Sequence, residues 1–167
     1  MKKLISAVLV ICIFSMISGC GFGSNDTDAR AVLNNYLEDI SNNKYEEAYE
    51  LLSKYDKDNI SKDLFLEWRE AVGKITKFNS FSISDKVDKF GKMEVYGVTY
   101  TKSFGFEVKM EIDKLVDQAD LEDMYEKDIY KQMVVYENGE WKIGLFYNDL
   151  ESRTEKYNKL IAENEQK

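Results

Sequence analysis

Apolar residues recur at helical spacing through the first part of the chain and at every second position beyond it, so the pattern predicts helices followed by a sheet. Val32, Leu33, Tyr36, Leu37 and Ile40 share one face of a first helix, which Asp26 or Thr27 can cap and Ser41-Asn42-Asn43 breaks. Tyr45, Ala48, Tyr49 and Leu52 form the stripe of a short second helix. Ser61 stands where it can cap a third, with Leu64, Phe65, Trp68 and Val72 facing inward and Gly73 as its stop. From Ile75 onward the period is two. Phe106, Val108, Met110 and Ile112 alternate with Glu107, Lys109, Glu111 and Asp113, the pattern of a strand with one face in the core and the other in water. Further strands are expected over 77–87, 92–102, 129–137 and 140–147. After Asn148 a charged stretch carries Leu150, Tyr157, Leu160 and Ile161 on a narrow stripe, which predicts a last helix over 149–167 able to pack on the domain or on a partner.

Asn138-Gly139 is the strongest turn signal, because a type I′ hairpin needs positive φ at both central residues and these two types tolerate it best. Counting outward from it pairs Tyr136 with Trp141, Val134 with Ile143, Gln132 with Leu145 and Tyr130 with Tyr147 on one face. Lys131, Met133 and Val135 then share the other face with Lys142, Gly144 and Phe146. The first set places one polar side chain, Gln132, among aromatic and aliphatic ones. Trp68, Tyr130, Gln132, Tyr136, Trp141 and Tyr147 are therefore the candidate ligand-binding residues, against the alternative that Gln132 bonds local backbone and the aromatics are plain core.

Composition narrows the chemistry. The chain has no histidine, which removes the usual neutral-pH base, histidine metal ligation and any histidine-based triad. No metal and no cofactor is expected. The sequence carries 23 basic and 31 acidic residues, and without Lys2 and Lys3 the basic count falls to 21, a formal charge of −10. That balance predicts repulsion from nucleic acid.

The N-terminus reads as an address. Met1, Lys2 and Lys3 form a basic start, and Leu4 to Ile17 is apolar apart from Ser6 and Ser15. As a helix this run is about 21 Å long, short of the ~30 Å that a permanent span must cross. It ends Ile17-Ser18-Gly19-Cys20, which resembles the lipobox of bacterial lipoproteins. The resemblance implies cleavage before Cys20 and diacylation of its thiol, with or without a third chain on the amine, anchoring residues 20 onward to the extracytoplasmic side of the cell membrane. Cysteine arithmetic agrees, since Cys12 lies in the discarded segment and Cys20 would otherwise be an odd thiol. Residues 21–25 then make a tether of at most about 18 Å.

Helices followed by antiparallel strands predict an α+β domain from pattern alone. The opening Ala31-Val32-Leu33-Asn34-Asn35-Tyr36-Leu37, the stretch from Asn43 through Tyr45, Ala48 and Tyr49 to Leu52, and the closing Asn138-Gly139-Glu140-Trp141-Lys142-Ile143 resemble the NTF2-like superfamily. That likeness implies a cone in which N-terminal helices cover a curved antiparallel sheet, over residues 27–148, with a C-terminal helix added. Small lipoproteins, especially from Gram-positive bacteria, show a similar order of signal peptide (here 1–19), lipidated cysteine and tether (20–26) and NTF2-like domain.

Two acidic groupings are candidate sites. Asp56, Asp58 and Glu67 fall at positions one, three and twelve of a calcium loop, but Ile60 and Ser61 stand where a ligand and a glycine are needed, so a solvated turn is preferred. Asp113, Asp117, Asp120, Glu122, Asp123, Glu126 and Asp128 make an acidic stretch able to meet a basic partner. Three functions are expected in descending order. The first is a non-catalytic module that binds a small molecule, peptide or envelope protein. The second is an enzyme of the isomerase, dehydratase or hydrolase type using a tyrosine and a carboxylate, as the superfamily resemblance implies. The third is a structural part of an envelope assembly docked through the last helix.

Overall fold

The computed structural model describes residues 26–116 and 129–165. Four helices come first, α1 (Asp26–Ser41), α2 (Tyr45–Glu50), α3 (Lys54–Asn59) and α4 (Lys62–Ile75). Six strands follow, β1 (Thr76–Lys89), β2 (Met93–Val95), β3 (Val98–Tyr100), β4 (Ser103–Lys114), β5 (Ile129–Glu137) and β6 (Glu140–Gly144), and then α5 (Leu150–Glu165). The fold is thus α+β, with an antiparallel sheet in the order β1-β4-β5-β6 and a separate hairpin of β2 and β3. Register shifts between Phe78 and Ser80 and between Ile83 and Val87 bend β1 against β4 and curve the sheet over the helices.

The apolar stripes go where their spacing sends them. Leu33, Tyr36, Leu37 and Ile40 of α1 and Phe65, Trp68 and Val72 of α4 are buried on the sheet face that carries Phe104, Phe106, Val108, Val134 and Ile143. Each such side chain, taken fully from water, contributes about 1.5–3 kcal/mol. Glu107, Lys109, Glu111 and Asp113 face solvent as their alternation requires. The Asn138-Gly139 turn has φ of 51° and 89°, and it pairs Tyr136 with Trp141 and Val134 with Ile143 as expected.

Four expectations are corrected. Gly73 does not end α4, which runs on to Ile75 and closes with the Thr76 hydroxyl donating to the Val72 carbonyl at 2.9 Å. Residues 92–102 are not one strand, because Tyr96 and Gly97 both take positive φ and fold them into the β2–β3 hairpin. β6 stops at Gly144, so Gln132 does not pair with Leu145 nor Tyr130 with Tyr147; the last rung is Met133 with Gly144. Lastly, α3 is an unexpected helix, capped by Ser53 through the Asp56 backbone N–H.

Asp56 explains the end of β6. It is fully buried, and its carboxylate accepts the backbone N–H groups of Leu145 (3.0 Å) and Phe146 (2.7 Å) and the Ser53 hydroxyl (2.7 Å). Two donors that would have extended a strand are thereby held by a helix. Burial pushes the Asp56 carboxyl above its ordinary range, and the three hydrogen bonds oppose that push. Behind it Tyr100 is almost wholly enclosed, and burial raises its hydroxyl to about 12. Tyr55 stacks on Tyr96 at 5.3 Å, and Phe146 contacts Tyr55 and Tyr100 at 5.9 and 5.8 Å, a second aromatic cluster on the back of the sheet.

α5 lies along α4. Leu150, Tyr157 and Leu160 are buried, Ile161 is half-buried, and Asn158 donates to Glu67 at 2.8 Å. The stripe expected to choose between domain and partner is therefore taken by the domain itself. Among the described residues no helix is long and apolar enough to cross a membrane. Cys20, the tether and most of the acidic stretch, from Asp117 to Asp128, lie outside the described residues.

Candidate functional site

Where β6 stops, β5 continues from Gln132 back to Ile129 with only β4 beside it. The space left at that corner, under α1, α4 and α5, is a cavity of about 740 Å³. The sheet supplies Phe78, Met110, Ile112, Tyr130 and Gln132 to its wall. The helices supply Tyr36, Leu37 and Ile40, then Trp68, Arg69 and Val72, then Arg153 and Tyr157, while Leu145 and Tyr147 enter from the segment that Asp56 pulls out of the ladder.

Four of the six candidate residues meet here. Trp68, Tyr130, Gln132 and Tyr147 all line the cavity, and Trp68 meets Tyr147 edge-on at 5.9 Å. Tyr136 and Trp141 do not. They sit at the turn end of the hairpin, in contact with each other at 5.0 Å, and Phe104 stacks on Trp141 at 5.0 Å. Sharing a sheet face was not enough, because the four residues from Gln132 to Tyr136 span about 13 Å of strand.

Gln132 is buried, and its amide nitrogen donates to the carbonyls of Gly144 (2.9 Å) and Met133 (3.1 Å). The local backbone reading of this residue is therefore met, and it finishes the ladder that β6 leaves open. Those two carbonyls also fix the amide's orientation, because a flipped group would set oxygen against oxygen. Its Oε1 remains as an acceptor without a partner among the described residues.

Charge on the described part of the wall has one sign. None of the described lining residues is Asp or Glu, while Arg69, Lys77, Lys131 and Arg153 are all present. Burial raises the Tyr147 hydroxyl, and the nearby charges of Arg153 and Arg69 oppose the rise. Arg69 is the residue that periodicity missed. Its signal was a cation directly beside an inward-facing tryptophan, and the structure sets its guanidinium 4.9 Å from the Trp68 ring and 5.7 Å from that of Tyr45.

The solvated turn expected around Asp56 is corrected, because Asp56 is fully buried in α3 where its carboxylate meets three donors, and none of the three acidic residues forms a calcium loop. Asp56 holds the 145–146 backbone, Asp58 pairs with Lys54 and Glu67 accepts from Asn158. Among the described residues no group of three or more acidic or cysteine side chains is placed to hold a metal ion. No protein-family model matches the chain, and no curated protein matches it either.

Proposed function

We propose that the chain is an extracytoplasmic lipoprotein, anchored through acylated Cys20, whose NTF2-like domain binds a small molecule between its helices and its sheet without turning it over. The single observation that carries the binding reading is the cavity, whose volume lies in the range of ligand sites and whose wall is mainly aromatic and aliphatic. Helices covering one face of a bent antiparallel sheet, with the opening at the end of the last hairpin, support the NTF2-like reading. The Ile17-Ser18-Gly19-Cys20 motif supports the anchor.

A catalytic reading is weaker on this geometry. Proton transfer by a tyrosine and carboxylate pair needs a carboxylate on the cavity wall, and no described lining residue is one. Asp56, the buried carboxylate, is engaged by two backbone donors and a hydroxyl. Docking to an envelope partner through the apolar stripe of α5 is also disfavoured, since α4 already covers it.

The chain's two tryptophans make a test, because Trp68 lines the cavity and Trp141 does not. A naphthalene-sized probe titrated into the full-length chain should shift the indole N–H resonance of Trp68 and leave that of Trp141 in place. Equal movement of both, or of neither, would reject the cavity as a site. Mass spectrometry of the membrane-extracted N-terminal peptide, with Cys20→Ala as control, tests the anchor separately. A retained Met1 or an unmodified Cys20 would overturn it.

A further inference from the structure

We infer that the ligand of this cavity is a carboxylate on an apolar body, and that Arg69 is the residue that holds its charged end. The inference rests on the reading of the cavity as a binding site and adds the class of ligand.

The sign of the wall is the first observation. The whole chain has a net charge of −8, yet the described residues around the cavity include four cations and no carboxylate. Two of the four are already ion-paired, Lys131 with Asp88 and Arg153 with Asp149, whose carboxylate lies 2.9 Å from the Arg153 Nε without completing a hydrogen bond. Lys77 is exposed, and water solvates it. Arg69 is half-buried, and it has no ion pair among the described residues.

The second observation is a pair of orphan donors. The Nε of Arg69 and the indole Nε1 of its neighbour Trp68 are both buried and have no acceptor among the described residues. Buried donors without acceptors are rare because they lose water and gain nothing in exchange. Two of them side by side on a cavity wall call for an acceptor from the ligand. A guanidinium favours a negative one, since its fork fits a carboxylate with two parallel hydrogen bonds.

The rest of the wall suits the rest of such a molecule. Leu37, Val72, Met110, Ile112 and Tyr130 offer apolar surface, while Gln132 presents one acceptor. A carboxylate held at Arg69 would leave its hydrocarbon against these side chains, and each part would be matched by chemistry of its own kind.

The test uses two isosteric probes, 2-naphthoate and the neutral 2-naphthamide, titrated into the full-length chain while the two indole N–H resonances are followed. Naphthoate should bind at least about tenfold more tightly than the amide, the scale of one charge-assisted hydrogen bond in a shielded site. Arg69→Met should erase that preference, the two probes then binding with equal affinity. Arg69→Lys should retain part of it, and this second variant decides the matter if the methionine chain does not fold. Equal affinity for both probes in the wild type would overturn the anion preference and leave the binding site standing. If neither probe moves Trp68 at millimolar concentration, the binding reading and this inference fall together. A preference for naphthoate that survives both substitutions would show that Arg69 is not the anchor.

Discussion

The carboxylate of Asp56 accepts the backbone N–H of Phe146, ninety positions along the chain, at 2.7 Å. With the bonds from Leu145 and Ser53 it joins α3 to the segment that leaves the sheet after β6, and that segment carries Leu145 and Tyr147 to the cavity. Asp56→Asn keeps the shape but turns an N–H2 toward one of these donors. Urea unfolding should show a loss of about 1–3 kcal/mol, the cost of an unmatched buried donor. An unchanged midpoint with unchanged slope would mean that the carboxylate does not hold the segment.

The same residue makes a pH prediction of unusual sign. Burial raises its folded-state pKa above the ordinary 3.8, so the folded protein binds this proton more tightly than the unfolded chain. Its contribution is fully present below 3.8 and is lost as pH rises through the raised folded value. The stability gap between wild type and Asp56→Asn should therefore widen as pH is lowered from 7 toward 4. A gap that narrows would show that the hydrogen bonds from Ser53, Leu145 and Phe146 outweigh burial.

Phe146 adopts a left-handed backbone with φ of 56°, and its ring lies over Gly144. A Cβ at Gly144 would come within 2.4 Å of that ring, which Tyr55 and Tyr100 restrain from behind. Gly144→Ala should cost about 1–3 kcal/mol by overpacking. In a Phe146→Ala background the same change should cost far less, and a double-mutant cycle reads the difference. Simple additivity would show that the ring moves aside freely.

α5 belongs to the core of the domain. Leu150 is 3% exposed at its first turn, and Leu150→Ala should lower stability by about 2–5 kcal/mol. Deleting residues 149–167 should be worse, since it uncovers the face of α4 beneath Tyr157 and Leu160. A truncated chain with the wild-type unfolding midpoint would show that the helix is an accessory.

Much of this architecture was legible in local pattern. The stripes of α1 and α4, the alternation of β4 and the Asn138-Gly139 register as far as Gly144 each follow from residues close in sequence. What escaped was set at long range or without an apolar signal. α3 buries only Asp56, so it has no stripe to detect, though Ser53 and Asp56 have the spacing of an N-cap pair. The alternation of β6 runs on through Leu145 and Tyr147, and nothing nearby says that a distant carboxylate will take those N–H groups. Within the site, the aromatic types were found, but the face of a strand does not tell which end of it borders a cavity. Arg69 was hidden for a different reason, since a cation on an amphipathic helix ordinarily reads as solvated surface.

The two borders of the sheet are closed by different means. Along β6, the Ser53 N–H donates to Ile143 at 2.7 Å and the Ile143 N–H donates to Leu51 at 2.9 Å, a short parallel rung from the α2–α3 link. Along β1, Arg30 takes the carbonyls of Ile83 and Ser84 at 3.2 and 2.7 Å beside a break in register, and the flanking side chains are largely serine, aspartate and lysine. Among the described residues, both borders are thus interrupted, β6 by the Leu51–Ser53 link and β1 by Arg30 and its two register shifts. A strand added to either border would have to displace one of these bonds before it could run the length of the sheet.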